Sequence, residues 1–238
     1  HRRLRAHLLR HVGLGGLSGG DGQRRRGGAP SRRRGLREHV ADDGDADEPQ
    51  RDHRQPAALH WLSEQALSWS GLPVVTVRPT VFLEGFFLQL AAPSVRASDE
   101  LALPMGGGKT SPISAVDVAR AVALILDDPA PHIGQIYDLT GPESTDLDHY
   151  ARVFSEALGR PIRYRDVPLP AWSESLRQAR FPEHVVHHLS AMAELTRQGR
   201  YDRLTDTMRK LTGEAPTNMR DFVKLHAAEF TQRGPAHS

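Results

Sequence analysis

The sequence predicts an α/β fold: part of a doubly wound parallel sheet followed by an α-rich C-terminal subdomain. Three observations carry that prediction. From residue 58 onward, short β-branched runs such as VVTVRP alternate with stretches of helical apolar spacing. Beyond residue 168 only helical signals remain. Residues 1–57 show neither period, so the ordered fold is expected to start after them.

The first piece differs in composition from the rest. Residues 1–57 hold 13 arginines and 8 acidic residues, a net +5, with no Phe, Tyr, Trp, Ile, Met, Thr, Asn or Lys. Residues 58–238 hold 18 basic and 21 acidic residues, a net −3. The chain's +2 and its pI near 9.2 therefore average two unlike pieces and identify no partner. A segment such as 19–48 cannot bury enough apolar surface to offset its ordering entropy, and disorder is expected for it. The two RRR runs supply phosphate-binding charge. Asp42, Asp43, Asp45, Asp47 and Glu48 follow directly, and no aromatic residue is present for base stacking, so nucleic acid is not expected as a partner.

Gly13, Gly15, Gly16 and Gly19 fail as a dinucleotide loop, because SGGDGQRRRGG behind them cannot form the helix that holds a pyrophosphate. Arg-, Gly- and Ala-rich text of this kind is what a GC-rich gene gives when read out of frame. The reading is that residues 1 to about 57 are a frameshifted translation, whose shifted frame encodes a helix followed by a strand. A stop codon in that frame would sink it. The start at His1 is in keeping with a fragment.

The elements then follow in order. Leu59, Leu62, Ala66 and Leu67 share one helical face, with Gly71 and Pro73 as the stop. Val74 to Pro79 reads as a buried strand. LEGFFLQLAA reads as a helix with Glu84 in its first turn, where the dipole favours a carboxylate. Leu101 to Pro104 is a brief strand, and Gly106, Gly107 and Gly108 then make a hairpin turn. GGGKT is not a phosphate loop: position 103 is Leu where the first glycine belongs, and Pro112 blocks the helix that should follow. SAVDVARAVALIL is amphipathic, with Ser114 as N-cap and Asp117 completing a capping-box variant. QIYDLTG is a strand, DLDHYARVFSEALG a helix stopped by Gly159, and PIRYRDV a strand. Helices are expected around AWSESLRQA, EHVVHHLSAMAEL, DTMRKL and MRDFVKLHAAEF.

Several chemistries are excluded. With no cysteine there is neither a disulfide framework nor a thiolate metal site. No run approaches the roughly 20 apolar residues of a membrane span, and no secretory leader is recognisable, so a cytoplasmic protein is expected. His184, His187 and His188 have helical spacing, but Glu183 reads as adjacent rather than facing, and a solvated helix face is the reading; no metal is expected. No Ser-His-Asp or Cys-His constellation can be argued, so no catalytic residue is assigned.

Five stretches together, in order and spacing, resemble the NmrA-like family of atypical short-chain dehydrogenase/reductases. They are HWLSEQALSWSGLPVVTVRPTVFLEGF, LPMGGGKTSPISAVDVARAVALIL, IYDLTGPE, SEALGRPIRYRDV and LTGEAPTNMRDFV, spanning residues 58–230. The resemblance implies a partial Rossmann core that binds NAD(P)H, with a substrate-side helical subdomain from about residue 141. It implies cofactor contacts at Arg78, Pro79, Thr80, Val81 and Phe82, past the nicotinamide end. His60 corresponds to the lysine of the Tyr-x-x-x-Lys pair, and the tyrosine position falls on Pro56; His60 also reads as a helix-surface histidine beside Trp61. The implied function is an NAD(P)H-dependent oxidoreductase acting on a small carbonyl or quinone. The alternative is a non-catalytic NAD(P)-sensing regulator that binds a protein partner. Without the first βαβ unit, the 238-residue chain is expected to bind NAD(P)H weakly or not at all and to aggregate.

Overall fold

In a computed structural model, residues 55–231 are described, with side chains from Trp61 onward. The expectations for residues 1–54, and for the side chains of Pro56 and His60, lie outside the described residues. All described residues belong to one structural unit.

Helix α1 (Gln55–Trp69) leads through Gly71, at φ +71°, into strand β1 (Thr76–Pro79). A π-helix (Glu84–Ala91) then runs directly into α2 (Ala92–Ser98), where the Ala92 N–H reaches back five residues to the Phe87 carbonyl. Strand β2 (Glu100–Leu103), α3 (Ala115–Asp127), β3 (Ile136–Leu139), α4 (Leu147–Leu158) and β4 (Arg163–Asp166) follow. The tail is helical: α5 (Leu169–Gln178), α6 (Glu183–Arg197), α7 (Thr207–Thr212), α8 (Met219–Leu225) and α9 (Ala227–Thr231). Among the described residues no helix is long and apolar enough to cross a membrane.

The strands pair in parallel, as predicted, but in two separate sheets. β1 pairs with β3, Thr76 opposite Ile136, and β2 pairs with β4, Glu100 opposite Arg163. This corrects the reading of Gly106–Gly108 as a hairpin turn. A parallel strand needs a crossover rather than a tight turn. The segment after the glycines bridges instead to Thr145 through Thr110 and to Phe82 through Ile113.

Local chemistry explains the helices. Asp146 caps α4 by accepting the His149 N–H at 2.8 Å, and Gly159, at φ +67°, ends it. Between them Leu147, Tyr150, Ala151 and Phe154 are buried, one face at i, i+3, i+4 and i+7. That face meets the π-helix and α8 in the larger core, which also holds Leu101, Leu103, Phe222 and Phe230. A smaller core of Ile113, Ala121, Leu139 and Met208 lies beneath Phe82 and Val118. Helix α1 departs from its prediction: Leu62 and Ala66, placed on its buried face by spacing, are exposed, as are Trp61 and Trp69. Periodicity marks which residues share a face but not whether a neighbouring element covers it.

Of two acidic residues singled out by their spacing, Glu84 stands in the first turn of the π-helix as read, and Asp117 plays another part. Glu84 also accepts from Ser114 Oγ at 2.8 Å and from the Ala115 N–H at 2.9 Å, at the start of α3. Ser114 does cap α3, accepting the Val116 N–H. Asp117 is wholly buried and accepts from the Thr217 N–H at 2.6 Å and from Arg120, so it fastens the segment before α8 onto α3 instead of completing a capping box. Glu183 faces His187 one turn on, at 3.0 Å. Among the described residues no His, Asp or Glu group is disposed to hold a metal.

Candidate functional site

Ligands of open α/β sheets sit beyond the carboxyl ends of the strands, and the described part of this molecule is most tightly knotted there. Thr80, the first residue past β1, is 6% exposed. Its N–H donates to the Leu139 carbonyl at 2.9 Å and its hydroxyl to the Ser111 carbonyl. The same Ser111 carbonyl accepts the Gly141 N–H at 3.0 Å, so one oxygen ties the ends of β1 and β3 together. Ser111 Oγ in turn donates to the Arg203 carbonyl at 2.7 Å. Thr205 completes the knot: its hydroxyl donates to the Asp138 carbonyl at 2.8 Å and its N–H to Thr140 Oγ1 at 3.1 Å. Residues 203–205 therefore form a strap over the strand ends.

Within this frame the Thr80 carbonyl and the N–H groups of Val81 and Phe82 make no hydrogen bond among the described residues, whereas the Val81 carbonyl accepts the Ile113 N–H at 3.0 Å. One acceptor and two donors are thus presented by rigid backbone at the end of β1. Free donors and an acceptor side by side suit a polar ligand group with both a carbonyl and an amine.

The predicted residues 78–82 are brought together here, with different parts to play. Arg78 aims its guanidinium at Glu64 on α1, Nε at 2.9 Å from Oε1 and a second bond from Nη2 to Oε2. The Glu64 hydrogen bond raises the Arg78 pKa above its ordinary value against the opposing effect of desolvation, and Asp138, its register partner on β3, adds to the rise. Arg78 thus anchors α1 to β1. Pro79 ends the strand, and Phe82 is half-buried over the smaller core. His60 belongs to α1, one turn before Glu64, and its side chain lies outside the described residues.

A second cluster closes the other sheet. Asp166, at the end of β4, accepts from Arg197 at 2.7 Å, from the Gly106 N–H at 3.0 Å and from the Tyr164 hydroxyl at 3.1 Å. Gly108 lies so close to Thr196 that an added Cβ would stand 2.5 Å from its carbonyl carbon. Together they latch the glycine turn onto α6. Desolvation pushes the Asp166 carboxyl up, but hydrogen bonds from Arg197, Gly106 and Tyr164 outweigh it and hold the group below its ordinary value. A carboxylate depressed in the folded state contributes stability above its unfolded pKa and loses it as pH falls through the folded one. Asp166→Asn is therefore expected to cost no more than about 1 kcal/mol at neutral pH, since the pair is more than a third exposed. In urea titrations the difference from the parent should shrink as pH falls below the ordinary carboxylate range, and vanish once the parent carboxylate is protonated as well.

Sequence reasoning found the strand end but missed the strap, because Ser111, Thr140 and Thr205 bear no pattern that announces a partner far along the chain. Gly141 directly after a strand was the available signal.

Comparison with known proteins adds the following. The model of the NmrA-like family matches residues 48–223. The chain is 31% identical over 172 residues to an NAD(P)H azoreductase of Xenophilus azovorans, covering 71% of this chain and 59% of that protein. Among solved structures it is similar to a Staphylococcus aureus protein described as a nucleoside-diphosphate-sugar epimerase, with a TM-score of 0.63 at 26% identity over 75% of this chain and 61% of the other. It also shares its fold with an NADPH-dependent quinone oxidoreductase of Escherichia coli solved with NADPH, at a TM-score of 0.65 and 22% identity, over 72% of this chain and 59% of that one. The chain spans about three fifths of the length of the curated relatives it matches.

Proposed function

The chain belongs to the NmrA-like family, and from that membership we propose that the whole protein is a cytoplasmic NAD(P)H-dependent oxidoreductase acting on a small carbonyl or quinone. The observation that carries the reading is the unpaired backbone trio at the end of β1: the Thr80 carbonyl with the Val81 and Phe82 N–H groups. A nicotinamide carboxamide needs one donor and one acceptor, and these groups offer both from a backbone that Ser111 and Leu139 hold in place. The similarity to an NAD(P)H azoreductase supports the same reading.

In this assignment Pro79, Thr80, Val81 and Phe82 orient the nicotinamide end, Arg78 fixes α1 beside them through Glu64, and His60 lies on that helix. The helical part from about residue 141 covers the substrate side. A bound NAD(P)H would supply a hydride, which with one proton reduces a carbonyl to an alcohol or a quinone to a hydroquinone. Carrying the unpaired backbone groups on a knotted strand end limits the reorganisation needed when the ligand arrives.

The test is NADPH oxidation by the full-length protein with a panel of benzoquinones and naphthoquinones, beside dinucleotide titration. Quinone-dependent oxidation is the expected result. Tight dinucleotide binding without turnover would overturn the enzyme reading in favour of an NAD(P)-sensing regulator, a role supported by Pro56 and His60 standing where reductases carry a Tyr/Lys pair.

A further inference from the structure

Beyond the end of β3 lies an open groove of about 630 Å³, a volume within the usual range for small-molecule sites. Its apolar lining comes from Pro142 after the strand, Leu204 on the segment entering α7, Met208 in that helix, and Pro216. Leu204 is 55% exposed although it is a large aliphatic side chain, and its neighbour Thr205 is tied to Asp138 and Thr140 on the strand end. The groove wall is therefore held in place by hydrogen bonds between threonine hydroxyls and the backbone.

The charges around the groove do not cancel. The one carboxylate among the lining residues, Asp206, is taken, and so is Glu214 beside Ala215. Asp206 pairs with Lys210 at 2.8 Å, and Glu214 pairs with Arg120. Arg209 also lines the groove, is exposed, and makes no side-chain hydrogen bond or ion pair among the described residues. Arg203, beside Leu204 on the strap, gives its carbonyl to Ser111 and leaves its guanidinium equally unpaired among the described residues. An apolar trough lined by the uncompensated guanidinium of Arg209 fits a ligand with an apolar body and one anionic head, since Arg binds carboxylate, sulfonate and phosphate oxygens through paired N–H donors.

We propose that this groove is a binding site for a small amphipathic anion, an aryl or alkyl carboxylate, sulfonate or phosphate monoester. The apolar body lies against Leu204, Pro142 and Pro216, and the head meets Arg209. The site needs no dinucleotide, so it stands or falls separately from the oxidoreductase reading.

The experiment is calorimetric or ligand-observed NMR titration of the full chain with 2-naphthalenesulfonate, and with neutral 2-naphthol as the comparison. The sulfonate is expected to bind about tenfold more tightly than the naphthol, the size of one charge-assisted contact. Arg209→Gln should remove most of that advantage while leaving naphthol unchanged. Leu204→Asp should abolish binding of both probes; its exposed position makes it safe for folding, checked by circular dichroism. Lys224→Gln, on α8, should change nothing. Equal affinity of the parent and Arg209→Gln for the sulfonate, no preference for sulfonate over naphthol, or no sulfonate binding at millimolar concentration would each overturn the proposal.

Discussion

Gly141→Ala is expected to destabilise the chain by about 3 kcal/mol, the upper end of what overpacking a fitted position costs and a large share of a small domain's stability. A Cβ at this position would fall deep inside the contact distance of the Pro112 carbonyl oxygen, with the carbonyl carbon at 3.0 Å and the Ser111 carbonyl oxygen at 3.5 Å. All three atoms are backbone, so no rotamer change relieves the clash. The chain there is also held in place: the Gly141 N–H donates to Ser111, which carries Thr80 as well. Moving the strand apart to admit a methyl group would break the bonds that fix the end of β1. Urea unfolding of the variant measures the loss, and a shift under 1 kcal/mol would show that the strand end is more pliant than its packing indicates. Gly71, where an added Cβ meets nothing within 4 Å, has a different reason to be glycine: its backbone conformation, not space.

Phe87→Ala should cost about 3–5 kcal/mol, the usual range for emptying a buried aromatic position. Phe87 has no exposed surface. Its ring meets Phe86 edge-on at 5.0 Å, Tyr150 edge-on at 5.7 Å and Phe154 at 5.3 Å, so it joins the π-helix to α4. Removing it breaks three aromatic contacts and leaves a void between elements that cannot collapse independently. Phe87→Leu, which keeps most of the volume, should lose much less. Equal losses in the two variants would assign the effect to something other than packing.

The elements whose signals are local were legible in the sequence. The α4 helix could be read from Asp146, a clean i, i+3, i+4, i+7 face and Gly159, all within one short stretch. β1 could be read from VVTVRP. What could not be read depends on distant partners. Nothing in ELAL says that it pairs with RYRD across α3, β3 and α4, and the two-sheet arrangement was missed for that reason. Asp117 has the spacing of a cap, but a buried carboxylate seeks its strongest donors, and the Thr217 N–H lies a hundred residues on. Glu84 stands in the first turn of its helix as read, but its bond to the start of α3 could not be seen in the sequence. At the candidate site the strand-end residues 78–82 were named from a resemblance, whereas the strap over them was found only in three dimensions.

The pairing order has a consequence for how the chain comes to be folded. β1 waits for β3 and β2 waits for β4, so each sheet is closed by a connection that encloses a strand of the other. Partners about sixty residues apart make for a high contact order and slow closure. Because the two connections interleave, neither sheet can be completed as a separate early module. During synthesis the β1 edge stays open until residue 139 has emerged and the β2 edge until residue 166, and the interval between is when unpaired strands are available to neighbouring chains. A protease cut anywhere between residues 104 and 135 would sever both connections at once, so this stretch, more than either terminus, decides whether the described unit survives as one piece.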